Sequence, residues 1–96
     1  MSAATSPGEI EIEVEGRRLR ARLSLAALSQ IETALGAEGL ADLPARLKAA
    51  RASDLAAVAA AVLRAGGAED AEAVARGLAP GPASELIRQV FEANRP

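Results

Sequence analysis

The chain has no cysteine, no histidine, no tryptophan and no tyrosine, and Phe91 is its single aromatic residue. Without cysteine there is no disulfide framework and no thiolate metal site. Without histidine there is no imidazole to shuttle protons or bind a metal. An excess of charge is also missing: 11 basic against 13 acidic side chains leave a net charge of −2. Surfaces that bind phosphate backbones usually concentrate a basic excess on one face, so nucleic acid is not an expected partner. No apolar run approaches the roughly 18 residues of a membrane span, because Lys48, Arg51 and Arg64 interrupt the alanine-rich centre. Residues 1–8 lack a basic leader and an apolar segment, and read as a flexible N-terminal tail rather than a secretory signal, with cytoplasmic residence expected.

The groups left for catalysis are carboxylates, the lone Lys48 and a few hydroxyls. Hydrolysis by paired carboxylates needs two of them to converge in a pocket, whereas the acids here fall on strand and helix faces that read as solvated. Asp70 and Glu72 sit where a helix begins, which makes them partners of the helix dipole rather than metal ligands. Ser53-Asp54-Leu55 inverts the Asp-Ser-Leu order of acyl carrier domains and reads as a helix cap. Neither GxxxxGK[ST] nor GxGxxG is present, so Gly36 and Gly39 are helix stops rather than a phosphate cradle. The expectation is a protein without catalytic residues, cofactor or metal.

What is present is alanine, about a quarter of the 96 residues, together with twelve leucines, five valines and four isoleucines. Burying a methyl returns about 0.8 kcal/mol, against roughly 1.5–3 for a whole Leu, Val, Ile or Phe side chain. The core is therefore expected to be thin, and the monomer to gain from self-association or from a partner.

The patterning predicts an α+β, mainly α fold: an N-terminal β-hairpin over 9–23, then four to five short helices packed as a small bundle in a single domain, 9–94. Glu9 to Val14 alternates acids with β-branched residues, the period of a half-buried strand, and Arg18 to Leu23 repeats the alternation with the opposite charge. A turn at Glu15-Gly16 sets Glu13 opposite Arg18, Glu11 opposite Arg20 and Glu9 opposite Arg22. The four glutamates of this stretch cancel Arg17, Arg18, Arg20 and Arg22, which disfavours the ribbon as a DNA reader. Helices are expected at about 24–35, 40–50, 54–65, 70–78 and 82–93. Ser24 caps the first, whose stripe is Leu25, Leu28, Ile31 and Leu35 and whose stop is Gly36. Pro44 favours a second helix that starts no earlier than Leu43, or one with a kinked first turn. Ser53 or Asp54 caps the third, which Gly66-Gly67 ends and which reads as the central element. Pro82 opens the last. There, Leu86, Ile87, Val90 and Phe91 form the most apolar stripe of the chain. It reads most simply as core, and its place near the chain end also makes it the candidate partner surface.

The order of these elements resembles a known family. An acidic-basic hairpin, then a Leu25-to-Leu28 segment leading into Ile31-Glu32-Thr33-Ala34-Leu35-Gly36, then Asp54-Leu55-Ala56-Ala57-Val58 through Leu63-Arg64-Ala65-Gly66-Gly67, is similar to the small tail proteins of gene transfer agents. These agents are phage-tail-like particles of alphaproteobacteria, and the family is grouped with phage tail assembly chaperones. The likeness spans roughly Glu9 to Asn94. It implies a non-enzymatic role in building the tail: a chaperone that holds the tape-measure protein soluble until the tube polymerises around it. Some relatives are instead tail-tube components retained in the particle, and that is the alternative the resemblance carries. A third reading, from the residues alone, is an unrelated helical protein-interaction module.

Overall fold

The computed structural model describes residues 8–94. An antiparallel hairpin, β1 (Glu9–Val14) and β2 (Arg17–Arg22), is followed by α1 (Leu25–Leu35), a 3-10 turn (Leu40–Asp42), α2 (Leu43–Lys48), α3 (Ala52–Ala65), α4 (Ala71–Gly77) and α5 (Pro80–Ala93). The architecture is α+β and mainly α, as the patterning predicts. All but Gly8 of the expected tail over 1–8 lies outside the described residues. The Gly8 carbonyl accepts a 2.7 Å hydrogen bond from Asn94 Nδ2, which joins the start of the hairpin to the end of α5.

The hairpin takes the register that the charge alternation dictates: Glu9 pairs with Arg22, Glu11 with Arg20 and Glu13 with Arg18. Glu15 and Gly16 both hold positive φ, 51° and 81°, as the two central residues of a type I′ turn require. A one-residue slip would turn the arginines toward the helices. Across the outer face the side chains slant, so that Arg18 Nη1 meets Glu11 Oε1 diagonally at 3.3 Å. On the inner face Leu19 and Ala21 are buried and Ile10, Ile12 and Val14 are half-buried. There β2 lies on α3 and β1 on α5.

Helix α3 is the centre of the fold. Six consecutive residues, Val58 to Leu63, are buried, so this stretch of the helix is covered all round rather than along one stripe, with α1, α4, α5 and β2 packed on the helix. Eight of the seventeen buried hydrophobic residues are alanine, which lets the elements approach closely while each contributes little free energy. The closest approach is at Gly66. A Cβ there would stand 2.1 Å from the Arg20 carbonyl oxygen, so only glycine lets the end of α3 lie against β2. Gly66 itself is right-handed (φ −82°), and Gly67 at φ 107° makes the turn. Gly67 N–H donates to the Arg64 carbonyl and Ala68 N–H to that of Leu63, both at 3.0 Å, a Schellman ending.

Several helix ends differ from expectation for identifiable reasons. Ser24 does cap α1, its Oγ accepting from Ala27 N–H at 3.1 Å, and Gly36 closes it in the left-handed region. Leu25, however, is 85% exposed. It lies about 140° from the Ala27–Ile31 line at 100° per residue, on the far side of the helix, and Ala27 takes the buried place. The expected helix over 40–50 is divided, because Pro44 lacks an N–H and α2 begins at Leu43 after the 3-10 turn. Neither Ser53 nor Asp54 is the N-cap of α3. Arg51 holds that position, and Asp54, three residues on, accepts from its N–H at 3.1 Å, the reach-back half of a capping box. Helix α5 starts at Pro80 rather than Pro82, since both prolines fit a first turn whose N–H groups have no intrahelical acceptor.

Candidate functional site

The four residues of the C-terminal stripe are divided by the fold. Leu86 and Val90 are buried, at 3% and 0% exposure, and Ile87 is 3% exposed. Phe91 is half-buried. Ile87 and Phe91 nevertheless border an open groove of about 490 Å³, whose other apolar walls are Pro44 and Leu47 of α2 and Leu55 near the start of α3. Leu86 instead borders a smaller cavity of about 180 Å³ beneath β1, beside Ile12, Val14 and Leu78.

The groove follows from local sequence. Helix α2 is too short to cover the lower part of α5, and its Pro44 and Leu47, three residues apart, share a face. Ile87 and Phe91, four apart, do the same on α5. Two helical walls with a leucine between them make a trough suited to an apolar helix face or protruding side chain. Sequence reading misses Leu47 and Leu55 as part of the surface. Their helical spacing is visible, but only the placement of α2 beside α5 sets them opposite Phe91.

The rim is polar. On α5, Arg88 bonds to Glu85 and, at 2.8 Å, to Glu92. The Arg88 guanidinium and the Gln89 amide, both donating to Glu85, hold its carboxyl down at about 2. On α2, the single lysine, Lys48, stands over the groove with no ion pair among the described residues. Large exposed aliphatic side chains occur at Leu25 and at Leu40, which is 62% exposed on the 3-10 turn.

Several polar groups elsewhere have structural employment. Arg17 donates to both oxygens of Asp70, at 2.6 and 3.1 Å, which pins the hairpin to the start of α4. Hydrogen bonding raises the arginine and lowers the carboxyl from their ordinary values. Asp42 is likewise held low, first by Arg46 and then by the Glu38 N–H. Arg64 joins Gln30 of α1 to Glu72 of α4, at 2.9 and 3.3 Å. Among the described residues no three carboxylates gather as a metal cluster, and no helix is long and apolar enough to cross a membrane.

Comparison with curated proteins and with solved structures gives no match. The sequence model of one family, described as phage tail tube protein, GTA-gp10, matches residues 7–93. That stretch includes the hairpin, every helix and all the groove residues, and the chain belongs to this family of phage and gene-transfer-agent tail proteins.

Proposed function

We propose that the protein is a structural component of the tail, present in many copies in or along the tube, and that it works by covering apolar surface rather than by transforming a substrate. The family match over 7–93 carries this reading. It puts the tube first, where the sequence resemblance by itself favours a chaperone. The open groove between α2, α3 and α5 supports it, since a subunit joined to neighbours needs apolar area left uncovered in the free molecule. Tail partners are other tail proteins and copies of this chain. Quantitative mass spectrometry of purified particles tests the proposal: many copies per particle are expected, and absence or trace amounts contradict it.

A chaperone role toward the tape-measure protein is the second reading, and the sheet favours it. The described sheet has two strands, and the end of α3 abuts β2 at Arg20, so the six-residue β1 supplies the edge through which strands could close a ring, a short one. A groove that opens directly to solvent also suits transient capture. On this reading co-expression raises the soluble yield of the tape-measure protein and the two co-purify, while mature particles lack the chain.

A further inference from the structure

We propose that copies of this chain associate head to tail, the Leu40 side chain of one copy entering the α2–α3–α5 groove of the next. The inference rests on the tube reading, because a tube needs a repeated contact between like subunits. Leu40 is 62% exposed, one of two large aliphatic residues so placed among the described residues. It crowns the 3-10 turn between Gly39 and Ala41, small neighbours that let the walls of another molecule close around it. Leu25, the other, stands on α1 beside polar Ser29 on the helix surface, a poorer fit for an apolar trough.

The groove has the capacity. A cavity of roughly 150 Å³ with aliphatic and aromatic lining holds a benzene molecule, and this one offers about 490 Å³. Charge gives the direction. Glu38 lies two residues before Leu40 and Lys48 lies on the groove rim, and among the described residues neither makes an ion pair within the chain. A leucine entering from a second copy brings an uncompensated carboxylate toward an uncompensated ammonium. Because the protrusion and the groove are different surfaces, the head-to-tail contact is heterologous and generates rings or filaments. Its area falls well below the ~800 Å² per partner of a standard stable interface, so single contacts are weak and repetition supplies the strength.

The absence of cysteine makes the contact easy to test. Ala41→Cys and Ser84→Cys, at exposed positions beside the protrusion and on the groove, are made in separate proteins, mixed and treated with a short bismaleimide. A mixed dimer is expected from the mixture and not from either protein alone. Leu40→Asp beside Ala41→Cys lowers the yield at least tenfold. Lys48→Glu in the Ser84→Cys protein lowers it, and Glu38→Lys in the other restores it. The chain carrying both cysteines gives a ladder beyond dimer. No mixed product, equal products from each protein alone, indifference to Leu40→Asp, or a ladder that stops at dimer overturns the proposal. Circular dichroism checks folding, and the charge swap decides the matter should Leu40→Asp unfold. Failure of cross-linking while particles contain many copies removes this contact and leaves the tube reading standing. Cross-linking in solution while particles lack the chain does the reverse.

Discussion

The hairpin and the α2–α5 seam solve the same problem in opposite ways. The hairpin lays its apolar face on α3 and α5, neutralises its outer face with alternating glutamate and arginine, and is pinned by Arg17–Asp70 at one end and Gly8–Asn94 at the other. The seam leaves Leu47, Leu55 and Phe91 facing an open trough with Lys48 uncompensated above it. One region is finished within the monomer, and the other is left open. In a chain whose core is nearly half alanine, that division separates the apolar area spent on folding from the area that the proposed assembly would use.

If the hairpin is closed, the largest loss of stability comes from disturbing its seat. Gly66→Val places a branched side chain against the Arg20 backbone, with 2.1 Å left for its Cβ, and is expected to cost about 3 kcal/mol or more, read as a lowered urea midpoint. Next, Leu19→Ala, at 8% exposure, is expected to cost roughly 2–3 kcal/mol as a cavity-forming change. Leu47→Ala in the half-open groove is expected to cost about 1 kcal/mol or less, since much less area returns to water. Equal losses at Leu19 and Leu47 would break the comparison.

The surface of α5 responds to acid. Glu85 has its carboxyl depressed to about 2 in the folded chain against an ordinary 4.5. A depressed carboxylate contributes stability that is fully present above the unfolded value and lost as pH falls through the folded one. The window is therefore about 4.5 down to about 2. The side chain is about half exposed, at 50%, and salt weakens its pairing, so a shallow decline is expected in urea midpoints across that range. Glu85→Gln flattens its share of the slope, and high salt reduces it. Smallest of all, Glu11→Lys on the outer face of the hairpin sets like charges opposite Arg20 and costs roughly 0.2–1 kcal/mol, measured in the same titration at low salt.

Much of this fold is legible because its signals are local. The Glu-Arg alternation fixes the register, since only one register keeps the arginines off the helices. Ser24 and Gly36 bound α1 by chemistry confined to a few residues. The misreadings are equally physical. Gly66-Gly67 reads as a helix stop, which Gly67 is; that Gly66 must lack a Cβ depends on a strand about 45 residues earlier in the chain, a tertiary fact with no local trace. Asp54 has the right chemistry for the start of α3 and the wrong position, because a carboxylate serves equally at the cap and three residues inside. The candidate surface is half legible. Helical periodicity finds Ile87 and Phe91, but it marks Leu86 and Val90 equally, because burial on one helix face is decided by what packs there. Leu40 is hidden for the opposite reason: its spacing to Leu43 and Leu47 suits a buried stripe, and the break at Pro44 turns it outward.

The division between a closed hairpin and an open seam is tested most directly by hydrogen–deuterium exchange on the free chain and on the chain assembled in tails. Assembly is expected to add protection in α2, the 3-10 turn before it and the second half of α5, with β1 and β2 unchanged. Protection gained in the hairpin, with α2 and α5 exchanging as in the free chain, would contradict the account.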